Sequence, residues 1–457
     1  MSGACLPPPG ADTGPVNAQD WAPRALERIQ DHTAPVAVVG CGYVGLSVAM
    51  GLARAGFPVL GVEPAPKRLA AFQRGENAVP DVEVAEGELD ALREAGRMRF
   101  TEAVTEDADV YIICVPTPLR DGSPDLSHIE DAGAAVAQRL KRGDMVILES
   151  TTYPGTTEEL LRPILERLSG LAAGQDFALG NSPERIDPGN RTWHMQNTPK
   201  VVGGLTETCT KLAASLYQQM CDTVVPVSSP RAAEITKLLE NSYREVNIAL
   251  VNELAMVCHD FAIDPWEVIS AASTKPFGFT PFRPGPGVGG HCIGTDSQYL
   301  AWRTKGTAGR QFRLLETSHD VNQRMPAFVA QRTAEILNEH GKAVRGAAVL
   351  ILGMAYKGGT SDTRESPSIR VAERLIPAGA KIAYHDPHVP EITLDGEVHR
   401  SVELSPGFVS WADLVLILTD HPEVDYDRVV HDARCIYDMR GVTIPIAVPE
   451  GHRVYRV

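Results

Sequence analysis

The stretch Val36-Ala37-Val38-Val39-Gly40-Cys41-Gly42-Tyr43-Val44-Gly45 constrains this chain more than any other. An apolar run ends on a glycine, and glycines recur at the first, third and sixth positions of the turn. Leu46 to Ala55 then reads as a helix, and Pro58 to Val62 as a second apolar strand, which together make a βαβ unit. Glycine is needed at those three places where a backbone must turn tightly, approach a pyrophosphate and let a helix pack close to a strand. Glu63 ends the second strand, where a carboxylate accepts hydrogen bonds from an adenosine ribose and repels a 2′-phosphate. The pattern points to NAD. The competing reading is an ordinary strand-to-helix turn with Glu63 in solvent.

Further apolar runs, Asp109 to Val115 and Asp144 to Glu149, read as buried parallel strands. A helical stretch from about Arg231 to Phe261 has no internal glycine or proline, a length that suits a connecting or dimer-forming helix. The strand pattern returns at Ala347 to Gly353, Lys381 to Tyr384 and Leu414 to Leu418. The expected fold class is α/β, with two Rossmann-like domains joined by a central helical dimerisation domain. The expected division is a mobile tail over 1–32 with a short helix near Trp21 to Ile29, an NAD-binding domain over 33–225, a central domain over 226–328 and a UDP-sugar-binding domain over 329–457. Ligands are expected in the cleft between the two sheets.

A formal net charge of −15 over 457 residues argues against a nucleic-acid-binding surface. No apolar stretch approaches the roughly 20 residues needed to cross a bilayer, and no signal segment opens the chain. The eight cysteines form no paired spacing, which fits reduced thiols of a cytoplasmic, soluble protein. With no HExxH and no cysteine pair, no metal site is expected.

Three constellations could carry chemistry. Lys237 and Asn241 stand four apart on the long helix and project from one face, able to converge on one oxygen or to form a solvated face. Glu184 lies in Asn181-Ser182-Pro183-Glu184-Arg185-Ile186-Asp187-Pro188-Gly189, either a surface loop or a rigid mount for the carboxylate. Cys292 ends the glycine-rich turn Gly285-Pro286-Gly287-Val288-Gly289-Gly290-His291-Cys292. It is either a packed small hydrophobe or a thiolate beside backbone amides.

From Val36 onward the chain resembles the UDP-glucose/GDP-mannose dehydrogenase family. The resemblance is carried by the glycine turn, Cys114-Val115-Pro116-Thr117-Pro118, Glu149-Ser150-Thr151-Thr152-Tyr153-Pro154-Gly155, Ser182-Pro183-Glu184-Arg185, Lys237-Leu238-Leu239-Glu240-Asn241, Gly289-Gly290-His291-Cys292, and Gly353-Met354-Ala355-Tyr356-Lys357 through Thr363-Arg364-Glu365-Ser366. It implies NAD-dependent four-electron oxidation of carbon 6 of a UDP-sugar to the UDP-uronic acid. Cys292 would capture the aldehyde as a thiohemiacetal that becomes a thioester. Lys237 and Asn241 would stabilise oxyanions, Glu184 would act as base for hydrolysis, and Asp296 and Thr117 would order the lysine and the water. The cofactor would be held by Gly40, Gly42, Tyr43, Val44, Gly45, Glu63, Val115, Pro116, Thr151 and Arg364. Arg185, Lys237, Asn241, Arg244, Phe277, Gly278, Gly289 and Lys357 would hold the substrate, with Lys357 facing the UDP moiety.

Asn241 to Glu253 and Lys275-Pro276-Phe277-Gly278-Phe279 look most like the branch acting on UDP-N-acetylhexosamines, UDP-N-acetylglucosamine above all, with Arg244 donating to the acetamido carbonyl. UDP-glucose is the alternative substrate, and a catalytically silent nucleotide-sugar-binding protein the alternative of another class. The resemblance also implies a homodimer or larger assembly, with the long helix at its core and Arg244 crossing to the neighbouring active site. One departure stands out: Ile293-Gly294-Thr295-Asp296-Ser297 lacks two prolines usual after the cysteine, which predicts a more flexible loop there.

Overall fold

The computed structural model describes residues 20–457 except 121, 188, 189, 191, 291 and 292, and omits the side chains of 307 and 308. The chain packs as two units. The first takes in the chain to Thr117, Asp125–Ile186 and Trp193–Glu234; the second takes in Pro118–Pro124, Asp187–Thr192 and Ile235–Val457.

The first unit is built on an eight-stranded sheet. Its strands β1 (Val36–Val39), β2 (Val59–Val62), β3 (Met98–Thr101) and β4 (Val110–Ile113) are followed by Met145–Leu148, Ala178–Asn181, Lys200–Gly204 and Val224–Val227. In space the order runs from Val224–Val227 through Lys200–Gly204, Ala178–Asn181, Met145–Leu148, β4, β1 and β2 to β3. All pairs are parallel except Ala178–Asn181 with Lys200–Gly204. The apolar runs of β1, β2 and β4 are buried throughout, as both faces of a parallel sheet demand. Pro226, which has no N–H to donate, sits in the edge strand, where the ladder tolerates it.

Register places the chemistry. Val39 pairs with Val62 and with Ile113, and Ile113 with Leu148. The residues one step beyond, Gly40, Glu63, Cys114 and Glu149, therefore line the carboxyl edge of neighbouring strands. Between β1 and β2 runs helix α2 (Tyr43–Ala55), which starts inside the glycine turn, three residues before Leu46.

The short helix expected near Trp21 to Ile29 is present. Helix α1 (Ala22–Gln30) follows Trp21, and Trp21 and Ile29 join the core of the first unit with Ala25 packed against it. The i, i+4, i+8 spacing of those three residues lays one apolar stripe on the sheet unit. Residues 1–19 lie outside the described set.

The second unit begins within the long helix Pro230–Asp260 and adds the helices Pro265–Ser273, Ile293–Ala308 and Arg313–Glu339. A five-stranded parallel sheet follows in the order Lys381–His385, Ala348–Leu352, Leu414–Ile417, Cys435–Asp438, Arg453–Arg456. Met325, Val329, Ile336 and Leu337 of Arg313–Glu339 pack with Val349, Ile351 and Leu416 in one core. Gly294 and Thr295, expected in a flexible loop, lie in the first turn of Ile293–Ala308, where the Gly294 oxygen accepts from the Ser297 hydroxyl at 3.1 Å and from Gln298 Nε2 at 3.0 Å.

Candidate active site

In the first unit the glycine turn is bounded by backbone. Gly40 has φ +94°, and a Cβ there would stand 2.7 Å from the Cys114 carbonyl oxygen; a Cβ on Gly45 would meet the Gly40 oxygen at 1.8 Å. Neither position admits a side chain. Gly42 is the N-cap of α2 and offers its amides no side-chain cap, and a Cβ there would have only the Arg68 guanidinium within 4 Å, at 3.9 Å. Open space at a helix N-terminus whose N-cap has no side chain fits a pyrophosphate.

Glu63 is 3% exposed, so it is not a solvated residue. It accepts from the Ala65 N–H at 2.9 Å and pairs with Arg68 at 3.2 Å. The loops that follow β4 and Met145–Leu148 are tied together: Ser150 Oγ donates to the Val115 oxygen at 2.7 Å, and Thr117 Oγ1 to the Thr151 oxygen at 2.8 Å. Val115, Pro116, Thr117 and Thr151 are thus brought beside the turn. Cys41 and Cys114 lie beneath it, and burial pushes both thiols up, Cys114 well above its usual range. Burial thus favours the protonated thiol at both.

Glu184 is buried in the segment after Ala178–Asn181. Beneath that segment Lys200 forms a buried ion pair with Glu149 and donates to the Pro183 oxygen at 3.3 Å, while the Tyr217 hydroxyl donates to Glu149 at 2.6 Å. Arg185 donates to the Pro199 oxygen. Asn181 to Glu184 are buried, which a surface loop would not be. Lys200, Glu149 and Tyr217 escaped sequence reasoning, although a lysine heading the apolar run Val201-Val202 was a visible signal. A cavity of about 510 Å³ opens at the opposite ends of the strands, lined by Trp21, Arg28, Asp109 and Asp144 among others, away from these groups.

In the second unit Lys237 and Asn241 are 6% and 5% exposed, which rules out a solvated helix face. Asn241 Nδ2 donates to Asp296 Oδ2 at 2.5 Å, and Asp296 stands in the first turn of Ile293–Ala308, four residues past position 292. Cys292 itself lies outside the described residues. The glycine-rich segment before it is anchored at both ends: Gly285 N–H donates to Asn252 Oδ1 at 2.9 Å and Gly290 N–H to the Arg364 oxygen at 3.0 Å. Gly289 is crowded by Tyr356, the Glu365 oxygen and Pro367, each 2.8 Å from where a Cβ would stand. Asn252, held in turn by Asn322, is a further anchor that sequence reasoning missed.

Lys357 Nζ donates to Asp187 at 2.6 Å. Burial raises the Asp187 carboxyl, but Lys357, Asn190 and Arg244 together outweigh it and hold it below the usual carboxylate range. Arg244 and Phe277 are exposed, the latter 71%, with Lys275 over its ring at 5.1 Å; Gly278 follows at φ +71°. Arg364 makes paired hydrogen bonds to Asp362 at 3.1 and 2.7 Å.

Residues 34–221, 231–324 and 350–445 match, in turn, the NAD binding domain, the central domain and the UDP binding domain of the UDP-glucose/GDP-mannose dehydrogenase family. The chain belongs to that family. It is an NAD-dependent oxidoreductase with the family's α/β architecture. The UDP-N-acetyl-D-mannosamine dehydrogenase of Pyrococcus horikoshii is 36% identical over 85% of this chain and 90% of its own. The UDP-N-acetyl-D-glucosamine 6-dehydrogenase of Salmonella typhi is 34% identical over 89% of this chain and 96% of its own. The solved structure of the UDP-D-ManNAc dehydrogenase from Pyrococcus horikoshii superposes with a TM-score of 0.82 at 33% identity, covering 93% of this chain and 99% of that one. Among the described residues no helix is long and apolar enough to cross a membrane.

Proposed function

We propose that this dehydrogenase oxidises carbon 6 of a UDP-N-acetylhexosamine, UDP-N-acetylglucosamine first among them, to the UDP-uronic acid. The observation that carries this reading is the buried pair Asn241–Asp296, with Lys237 one helical turn away and Cys292 four residues before Asp296. Both relatives named above carry N-acetylhexosamine substrates in their names.

NAD, when bound over Gly40, Gly42, Tyr43, Val44, Gly45, Glu63, Val115, Pro116, Thr151 and Arg364, supplies the hydride acceptor for two successive oxidations. Lys237 and Asn241 present a cation and an amide to the oxygen on which charge develops, an effect of about 3 kcal/mol per donor. An amide nitrogen carries two hydrogens, so its hold by Asp296 is compatible with donation to substrate. The Cys292 thiolate attacks the aldehyde and retains it as a thiohemiacetal, which on oxidation becomes a thioester. Glu184 takes a proton from the water that hydrolyses it, with Thr117 ordering that water. Lys357 meets the diphosphate, Arg244 the acetamido carbonyl, and Arg185, Phe277, Gly278 and Gly289 the remainder of the nucleotide sugar.

The three-domain division over 33–225, 226–328 and 329–457 belongs to the same reading. So does a homodimer, supported by Ile235, Leu239, Tyr243, Leu250 and Val257, which recur at helical spacing along the long helix and are exposed, Leu239 by 65%, with Phe261 exposed just past its end. The reaction is placed in the cytoplasm, in keeping with six described cysteines that are all buried and free.

The test is NADH formation with UDP-glucose, UDP-N-acetylglucosamine, UDP-N-acetylgalactosamine, UDP-N-acetylmannosamine and GDP-mannose. An N-acetylated UDP-hexosamine should give the highest kcat/KM. Preference for UDP-glucose would overturn the substrate reading, and binding without NADH would make the chain a silent receptor.

A further inference from the structure

Asp386 stands one residue beyond the strand Lys381–His385, and His421 follows the strand Leu414–Ile417. Both are buried, 2% and 1% exposed. The Asp386 carboxylate collects five donors. Oδ2 accepts from the backbone of Met354 at 2.8 Å and Ala355 at 2.9 Å and from His421 Nε2 at 3.0 Å, while Oδ1 accepts from the backbone of His388 at 2.8 Å and Val389 at 3.1 Å. The other ring nitrogen of His421, Nδ1, accepts from the Gly359 N–H at 3.2 Å. A backbone N–H can only donate, so it selects the tautomer with the proton on Nε2, the one that bonds the carboxylate. Burial alone would raise the Asp386 carboxyl. The His421 hydrogen bond and the backbone donors outweigh it and bring it to about 2, so it is ionised.

These bonds grip both ends of one short segment. Met354 and Ala355 precede Lys357 and Gly359 follows it; Thr419 Oγ1 adds a hydrogen bond to the Ala355 oxygen at 2.7 Å. His388 and Glu423 approach the same cluster, with His388 Nε2 3.4 Å from Glu423 and its ring 5.3 Å from that of His421. Three ligand atoms of His388, His421 and Glu423 lie within 4.8 Å of one another. Both nitrogens of His421 are already engaged, however, so the cluster is a hydrogen-bonded clamp and not a metal cage.

The first sheet makes the contrast plain. Gly353 donates to the His385 oxygen just as Gly40 donates to the Val62 oxygen, each at 2.9 Å, so the two turns begin alike. In the first sheet the acid at the end of the neighbouring strand, Glu63, accepts from the N–H of Ala65 and pairs with Arg68, and the helix starts on Gly42, which has no side chain to cap it. In the second, the shorter Asp386 bonds the turn amides itself. An internal carboxylate occupies donors of the kind that bind a pyrophosphate at the other site.

We propose that Asp386 and His421 are positioning residues for Lys357, and that through residues 354–359 this pair sets the affinity for the uridine diphosphate part of the substrate. The inference rests on the reading that Lys357 meets the diphosphate. A mobile lysine loses affinity through the ordering it must undergo on binding, and a clamped loop removes that cost in advance.

The experiment is a calorimetric titration of UDP into the full-length chain carrying His421→Phe, His421→Gln or Asp386→Asn, each with Lys357 present and with Lys357→Ala. His421→Phe and Asp386→Asn should raise the Kd for UDP at least tenfold while the Kd for NAD stays within twofold. His421→Gln keeps a donor for Asp386 and should recover part of the loss. In the Lys357→Ala background, His421→Phe should cost little more, the non-additivity expected of residues acting through one group. Unchanged UDP binding in the variants, full additivity with Lys357→Ala, or an equal loss of NAD binding would overturn the proposal. UDP binding that is lost in Lys357→Ala but retained in His421→Phe overturns the clamp alone. UDP binding that is indifferent to Lys357→Ala overturns the reading beneath it as well.

Discussion

Asn241 donates its side-chain amide to the Asp296 carboxylate at 2.5 Å, joining the long helix Pro230–Asp260 to the first turn of Ile293–Ala308. Both residues are buried, so the bond forms where water does not compete. It fixes which way the amide points, and Asp296 stands four residues along the chain from Cys292, the proposed nucleophile.

Asn241→Ala should therefore lower kcat by about 100-fold, the loss typical of one oxyanion donor. The KM for NAD should hold, because the substitution leaves the glycine turn untouched. Steady-state kinetics with both substrates varied separates the two parameters. A loss confined to KM for the sugar would assign Asn241 to ground-state binding alone.

Glu63 and Arg68 form an ion pair at 3.2 Å, with the guanidinium also within 3.9 Å of the Cβ position at Gly42. Removing the carboxylate leaves a cation close to where a 2′-phosphate would lie. Glu63→Ala should shift the ratio of kcat/KM for NAD over NADP toward NADP by at least about tenfold, the direction expected when an arginine replaces the acid as ribose neighbour. Glu63→Ala with Arg68→Ala should lose NAD efficiency without that gain. Comparing the two variants with both cofactors checks it.

Cys292→Ser keeps the shape and removes the thiolate. The parent should release two NADH per sugar oxidised, whereas the variant should fail to complete the oxidation, at a cost to turnover far above its cost to UDP-sugar affinity. NADH stoichiometry and product mass decide it. Uronic acid formed by the variant at the parental rate would remove Cys292 from the mechanism.

Glu234 carries a separate pH dependence. It is 2% exposed and accepts from the Gly155 N–H at 2.6 Å and from the Thr157 N–H and hydroxyl at 2.9 and 2.7 Å, yet burial outweighs these donors and pushes its carboxyl up to about 7. A folded-state value raised above the unfolded one means the native state binds the extra proton. The contribution is fully present below the unfolded value near 4.5 and is lost as pH rises through about 7. Stability of the parent should fall over that window by on the order of 3 kcal/mol more than that of Glu234→Gln. Denaturant unfolding at pH 4.5 and 7.5 measures the difference. Equal changes for the two chains would show that folding does not raise the Glu234 carboxyl.

Local pattern was enough for several parts of this protein. The glycine turn, with its neighbours in β1 and α2, was legible because strand, turn and helix there depend on residues within about ten positions of one another. The acid at Glu63 followed from the same unit, and the long helix from an unbroken run without glycine or proline. Family motifs then named Lys237, Asn241, Glu184 and Cys292. What the sequence alone left open was burial and pairing. A lysine and an asparagine four apart read more readily as a solvated face until the fold buried them and set Asp296, 55 residues away, against the amide. Glu184 read equally as a loop residue until Lys200 and Glu149, separated by 51 residues, were found locked beneath it. Asp386 and His421 gave no signal at all, because neither belongs to a spacing that a helix or strand would bring together. Parallel strands place the residues beyond their ends side by side whatever their distance along the chain, and that juxtaposition exists only once the sheet has formed.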